Sequence, residues 1–521
     1  MTSQDIVQKL WNLCDILRDD GINYSDYVTE LVMLLFIKMI HESTESGSLK
    51  EHSLPEGCRW TDLNNKSGLE LLDNYKEILN TLASGQKIII DPDTKEEKVI
   101  EVHSDNLIKS IYSEAQTRIR EPRHLEQIIK RFDEIKDWFS NKTDGLGNVY
   151  EGLLDKNANE TKSGAGQYFT PRALINCIIE CIKPQPYELI QDPAAGTGGF
   201  LVAAHEYIKA NAKISRESEE FQRKKAYIGI ELVPNTRRLA LMNCLLHGIE
   251  GEEEGAIILG NTLSPLGKQL KSSDVILANP PFGTSKGGDA SIIRDDLPYK
   301  TNNKQLAFLQ HIYLNLKSGG RAAVIVPDNV LFETGVATEI RTDLMNKCNL
   351  HTILRLPTGL FYAQGVKTNV IFFTKGTSKN IFQDQECTEN IWFYDLRTNM
   401  PSFGKRTPFT EKYLEDFKNL YGDDPNDISQ RHKVNSLKSN KDSTKEDNLD
   451  TNRWRCFDRE WIKNIKNDSL DIFWLKDKES IDTSGLPDPL TLANQAKFDL
   501  QIALDNLEQL LLELGEKLDD K

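Results

Sequence analysis

The sequence is short of positive charge, of long apolar runs and of closely spaced metal ligands, and each shortage excludes something. Its 521 residues carry 64 Lys and Arg against 79 Asp and Glu, a formal charge of −15. Affinity for nucleic acid comes largely from neutralising phosphates, so such a chain by itself is a poor stand-alone DNA binder. Residues 441–521 alone hold 12 basic and 19 acidic side chains, so the imbalance is concentrated at that end. The most apolar stretch, LVMLLFIKMI at 31–40, contains Lys38 and has about half the length a membrane span requires. The start carries Asp5 and a helical amphipathic pattern, not a basic segment followed by an apolar one. No membrane contact and a cytoplasmic location are therefore expected. Eight cysteines include no C-x-x-C, and the nearest pair, Cys177 and Cys181, reads as one small apolar face of a helix. His41-Glu42 and His205-Glu206 both lack the second His of a zinc helix, so no metal is expected.

Length predicts two to four domains. Residues 1–155 read as a mainly helical N-terminal domain, with Ile6, Leu10, Leu13 and Leu17 at helical spacing and a wider apolar helix from about Tyr27 to Ile40. Pro92-Asp93 followed by Glu96-Glu97-Lys98 mimics a nuclease signature, but it lies between two β-like runs and reads as a hairpin turn. Residues 156–430 form the expected catalytic domain. Short apolar runs there alternate with helices: ELIQD (188–192), AYIGIE (226–231), AIILGN (256–261), DVILANP (274–280), RAAVIVPD (321–328), HTILRL (351–356) and TNVIFF (368–373). That alternation predicts an α/β fold with a doubly wound, mostly parallel sheet, its last two runs pairing antiparallel at an edge. Residues 431–455, polar and poor in large apolar side chains, read as a flexible linker. Residues 456–521 read as a C-terminal helical tail, in which Leu500, Leu504, Leu507, Leu511 and Leu514 form a seam suited to a partner helix.

Three segments carry chemistry. DPAAGTGGF at 192–200 follows a strand and opens a helix, so Asp192, Ala194, Gly196, Thr197, Gly198 and Gly199 make a tight loop that approaches a ligand closely. It lacks the Lys-Ser/Thr of a P-loop, so it does not read as an ATP site. Glu231 ends the next strand, where a carboxylate can accept from both ribose hydroxyls; the plainer alternative is a helix-capping acid. The loop implies no diphosphate, so S-adenosylmethionine fits better than NAD. Upstream, SGAGQYFTPR places Gln167, Tyr168 and Phe169 before Thr170-Pro171, expected as the N-cap and first residue of the helix that carries Leu174, Ile175, Ile178 and Ile179. The aromatics read as cofactor contacts. Finally, Asn279-Pro280-Pro281-Phe282 follows the fourth strand. An Asn-Pro-Pro triplet should arise by chance only about 0.06 times in such a chain. Its side-chain and backbone carbonyls can accept the two N–H bonds of a conjugated amino nitrogen and draw it toward tetrahedral geometry, while Phe282 stacks on an extruded base.

The order QYFTP, DPAAGTGGF, NPPF resembles the amino-methyltransferases of class I fold. More closely, KNANETKSGAGQYFTPR (156–172), ELVPNTRRLALMNCLLH (231–247), RLPTGLFYAQGVKTNVIFFTKG (355–376) and DLRTNMPSFGKRTPF (395–409) resemble the methylation subunits of type I restriction–modification enzymes, in particular the K-type (IA) group. The resemblance runs through most of the chain. It implies a class I S-adenosylmethionine-dependent fold with a seven-stranded sheet, and methylation of adenine N6 in DNA. It also implies partners: two such methylation subunits would join one specificity subunit to form the methyltransferase, and two restriction subunits would complete the full restriction complex. Carried over, Gln167 to Arg172, Thr197 to Gly199 and Glu231 would bind the cofactor, and Asn279 to Phe282 would hold the adenine. Where relatives often place a carboxylate after the third strand, this chain has Gly260-Asn261, so Asn261 would read the cofactor's adenine edge with an amide.

Methylation of a glutamine side chain or of cytosine N4 presents the same conjugated nitrogen and stays open on the motif alone. Carbon-5 cytosine methylation is disfavoured, because no Cys follows a Pro to act as nucleophile. A non-catalytic assembly subunit is opposed by the intact Asn279–Phe282 segment.

Overall fold

The computed structural model describes residues 3–22, 26–46, 52–90, 97–102, 105–135, 145–160, 170–282, 292, 294–361, 366–377, 382–383, 385–401, 403–404, 407–423 and 452–475. The leucine seam, most of the linker, Pro92 to Glu96, and Gln167 to Phe169 lie outside them.

The N-terminal region is helical as expected. Ile6, Leu10, Leu13 and Leu17 are all buried, across the helices Ser3–Asn12 and Cys14–Asp19. The apolar run forms the helix Tyr27–Ser46, wrapped in core on all sides. Among the described residues no helix is long and apolar enough to cross a membrane. Strands β1 (Gln86–Ile90) and β2 (Glu97–Glu101) pair antiparallel, so Glu97 and Lys98 sit on an exposed hairpin. The helical region shares one hydrophobic core with the large sheet and its covering helices. Buried Arg238 donates to the carbonyls of Ile111 and Ser113 at 2.9 and 2.7 Å, and the Tyr150 hydroxyl donates to that of Leu239 at 3.1 Å. Removing either donor would leave interior carbonyls unpaired, so the two regions are locked by polar as well as apolar contacts.

The remaining strands are β3 (Ile190–Asp192), β4 (Tyr227–Glu231), β5 (Ile257–Leu259), β6 (Ser273–Ala278), β7 (Leu316–Pro327), β8 (Cys348–Arg355), β9 (Thr368–Lys375), β10 (Asn390–Asp395) and β11 (Trp454–Asp458). They form one sheet in the order β11-β10-β8-β9-β7-β6-β3-β4-β5. The central pairs are parallel, β9 runs antiparallel between β7 and β8, and β11 is antiparallel on β10. The seven expected runs are all strands, but among the described residues the sheet has nine. β10 and β11 extend it beyond β8, so the β8–β9 pair is not an edge. The expected boundary at 455/456 falls inside β11. Aromatic stacking explains the extension: Trp454 lies face to face with Phe417, with centroids 5.4 Å apart at 8°, and meets Tyr394 at 5.1 Å. Residues as far as Phe473 belong to the same compact unit, and buried Arg341 donates to the Asp468 carbonyl at 2.8 Å.

Strand order reverses at β3. The chain moves from β3 to β4 and β5 on one side, then crosses to β6 and β7 on the other. In open α/β sheets a ligand crevice opens at the carboxyl ends of the strands at such a point. The glycine loop, Glu231 and the Asn-Pro-Pro-Phe turn all come directly after strands that flank it.

Candidate active site

The glycine loop is built by close approach. Gly198, at φ 79°, is the N-cap of the helix Gly199–Asn211. In β4, a Cβ on Gly229 would stand 2.5 Å from Ile257 Cδ1 and 3.0 Å from Ala195 Cβ, so the strand must be bare where the loop crosses it. The loop is pinned at both ends. The Ala195 amide donates to the Ile230 carbonyl at 2.9 Å, and Asn243 Nδ2 donates to the Thr197 carbonyl at 3.0 Å. Thr262 Oγ1 donates to the Pro193 carbonyl at 2.6 Å.

Two acids face this loop. Glu231 Oε2 accepts from the Gly196 amide at 3.0 Å and Oε1 from the Val233 amide at 2.9 Å. It therefore does not cap the helix Pro234–Leu246, whose N-cap is Val233. Burial raises its carboxyl above the usual range, against the backbone amides of Val233, Gly196 and Leu232. Leu232 and Val233, beside it, are 61% and 40% exposed, an apolar step next to a polar cradle. Asp192 is buried, with Ala194 N donating to its Oδ1 at 3.0 Å. Burial, with the charge of Glu231 adding to it, pushes its carboxyl up to about 8.

Across the switch point, Asn279 comes directly after β6, and its Nδ2 donates to Thr170 Oγ1 at 2.9 Å. Thr170 is thus not the helix cap expected of it. The helix is Arg172–Ile182 with Pro171 as the N-cap, and the buried Thr170 hydroxyl serves Asn279 instead. Phe282, half-buried, meets the buried Phe361 edge to face, with centroids 6.3 Å apart at 79°. Phe361 comes from the segment after β8, and sequence reasoning does not single it out; its only signal is an aromatic in a glycine-containing turn.

Two other expected contacts are placed differently. Arg172 donates to Glu151 and Glu206 at 2.6 Å each, so its guanidinium is committed to carboxylates of two packed helices. Asn261 Oδ1 accepts from the Leu263 amide at 2.9 Å. Cys177 and Cys181 are buried free thiols, and among the described residues no group of three metal-ligating side chains exists.

A glycine loop and acid on one side of a switch point, with an Asn-Pro-Pro-Phe turn on the other, define a methyltransferase of class I architecture. The model of the N-6 DNA methylase family matches residues 141–460, and that of the HsdM N-terminal domain matches 6–132. The methylase subunit of the StySPI type I restriction enzyme from Salmonella potsdam is 50% identical over 99% of this chain and 96% of its own length. The EcoKI methylase subunit from Escherichia coli is 49% identical with the same coverage. Among solved structures, the EcoKI M protein matches at 46% identity and TM-score 0.56, covering 98% of this chain and 97% of its own. A Vibrio vulnificus modification subunit matches at 25% identity and TM-score 0.63, covering 81% and 90%. The chain belongs to the methylase subunits of type I restriction enzymes, and it is a DNA methyltransferase of that family.

Proposed function

We propose that this chain transfers the methyl group of S-adenosylmethionine to the N6 nitrogen of an adenine extruded from duplex DNA. The carrying observation is the Asn279–Thr170 hydrogen bond, set one strand from the Glu231–Gly196 cradle at the reversal of strand order. The residues fit the cofactor. Glu231 would accept from the ribose hydroxyls with its remaining lone pairs, Leu232 would cover the adenine face, and Asn261 would read its edge. Asp192 and the loop Ala194 to Gly199 would take the amino-acid portion, with Gln167, Tyr168, Phe169, Pro171 and Arg172 lining or supporting that side. When bound, the cofactor supplies an electrophilic methyl on a sulfonium.

The chain's own residues then prepare the nucleophile. With Nδ2 donating to the Thr170 hydroxyl, Asn279 Oδ1 and the Pro280 carbonyl would take the two amino hydrogens. Pro280 and Pro281 hold that backbone shape without competing donors. Phe282, half-buried and backed by the buried Phe361, would stack on a base taken out of its helix. Because the methyl group is electrophilic, the amino nitrogen would need no strong base beside it: its proton could leave after transfer.

The −15 charge supports division of labour. Two copies would join one DNA-reading specificity subunit, and restriction subunits would join in turn, in the cytoplasm. Methylation would then protect host DNA from cleavage. One related structure, of a type I system in complex assembly, is 26% identical with TM-score 0.69 over 99% of this chain. The test is incubation of the chain, with and without a co-expressed specificity subunit, with labelled S-adenosylmethionine and DNA, and then nucleoside analysis. N6-methyladenine formed only with the partner is expected; label in cytosine or protein would refute the reading.

A further inference from the structure

The carboxyl edge of the sheet carries a second group of buried charges that methyl transfer does not use. Arg397 lies just beyond β10 with 9% of its side chain exposed. Nη1 and Nη2 donate to the two oxygens of Asp328 at 2.7 and 2.9 Å. Nε donates to the Leu356 carbonyl at 2.9 Å, and Nη2 also reaches that of Thr368 at 2.8 Å. Asp328 sits directly after β7 and accepts from Asn369 Nδ2 at 2.8 Å. One guanidinium therefore grips the ends of β7 and β8 and the start of β9. Its own backbone is fixed as well, because the Arg397 and Thr398 amides both donate to Asp395 Oδ1 at 2.8 Å. Burial would raise the Asp328 carboxyl, but Arg397, Asn369 and Arg355 outweigh it and hold it below the usual carboxylate range.

A buried ion pair is an expensive way to gain stability, since apolar side chains of similar size usually do as well. What a planar fork adds is fixed geometry. Leu356 and Thr368 are the two ends of the connection that carries Phe361, and the Leu356 amide donates to the Thr368 carbonyl at 3.0 Å. Phe403, beyond Arg397, donates its amide to the Thr358 carbonyl at 3.2 Å. These polar ties lead the neck back to the Arg397 turn and to β9.

We propose that Arg397, paired with Asp328, is a positioning residue for the target base: it fixes the neck from which Phe361 faces Phe282. The proposal rests on the reading of the chain as a base-extruding methyltransferase. It predicts a defect in holding the base, not in holding the cofactor. The experiment uses the chain assembled with its specificity subunit, with a duplex bearing 2-aminopurine at the methylated position to read base extrusion and the unmodified duplex to read turnover, since 2-aminopurine has no N6 amino group. Wild type should raise the fluorescence. Arg397→Ala should lose most of that rise and about 100-fold in kcat, the scale of an ångström of misplacement, with S-adenosylmethionine affinity unchanged by calorimetry. Arg397→Gln, which keeps a planar donor, covers the case of misfolding and should be intermediate. Phe361→Ala should mimic the loss, and the double variant should be no worse than either single one. Additive losses, or normal fluorescence and turnover in Arg397→Ala, would overturn the proposal. Absence of N6-methyladenine with wild type would instead overturn the reading beneath it.

Discussion

Replacing Thr170 by Val removes a single hydroxyl and almost no volume, and it tests the link between the two halves of the site. The hydroxyl is buried and accepts from Asn279 Nδ2 at 2.9 Å. Losing such a bond leaves a donor in low-dielectric surroundings without this acceptor, at a cost of about 1–3 kcal/mol. Part of that destabilises the protein without substrate, and part frees the amide to turn about its side-chain torsion. If half or more is expressed in the transition state, about 0.5–3 kcal/mol is lost there, or roughly 2- to 150-fold in kcat. S-adenosylmethionine affinity should hold within about twofold, because the Glu231 cradle is held by the Gly196 and Val233 amides and not by this hydroxyl. Thr170→Ser keeps the hydroxyl and should recover most of the rate. The assay is transfer of labelled methyl to DNA by the assembled enzyme, with kcat and KM separated and cofactor affinity measured by calorimetry. A Val variant with unchanged kcat, or with cofactor affinity falling in step with kcat, would refute the role given to Thr170.

The same geometry fixes further outcomes. Asp192, with its carboxyl at about 8 in the fold against about 3.9 unfolded, binds more protons folded than unfolded between those values. Its contribution therefore falls as pH rises, by up to about 1.4 kcal/mol per unit, and levels off above pH 8. Asp192→Asn should flatten the pH dependence of thermal stability over that window while weakening cofactor binding; an unchanged slope would contradict it. Gly229→Val places a branched side chain where even a Cβ would lie 2.5 Å from Ile257 Cδ1. Overpacking of this kind costs about 1–3 kcal/mol, read as a lowered denaturant midpoint at constant slope. The chain alone should bind DNA weakly, without sequence preference and with steep salt dependence, whereas the complex with a specificity subunit should bind one site tightly. Specific gel-shift by the isolated chain would count against this.

Much of the fold was legible because it is periodic. Parallel strands buried on both faces read as unbroken apolar runs, and all seven expected runs became strands. The loop after β3, the acid ending β4 and the turn after β6 were legible because glycine, carboxylate and Asn-Pro-Pro stand together at the carboxyl ends of strands. What escaped was set by tertiary contact. β11 is five residues placed after a polar stretch, and it is recruited by stacking of Trp454 on Phe417 rather than by any pattern of its own. Thr170 reads equally well as a helix cap until a residue 109 positions away is seen to take its hydroxyl. The resemblance gives Arg172 to the cofactor side but not its partners: two glutamates from separate helices hold its guanidinium. Phe361 and Arg397 lie in segments whose family likeness was visible, yet nothing local assigns them a task. Hydrogen bonds between distant residues leave no periodicity in a sequence.

The central claim is that one chain holds cofactor and target in separable sites, with Asn279 serving only the target. Asn279→Ala in the assembled enzyme tests it most directly, with S-adenosylmethionine binding by calorimetry and N6-methyladenine by nucleoside mass spectrometry on the same preparation. Cofactor affinity within about twofold of wild type, with methylation reduced below detection, is the expected result. Retained turnover, or loss of cofactor binding in a folded variant, would contradict it.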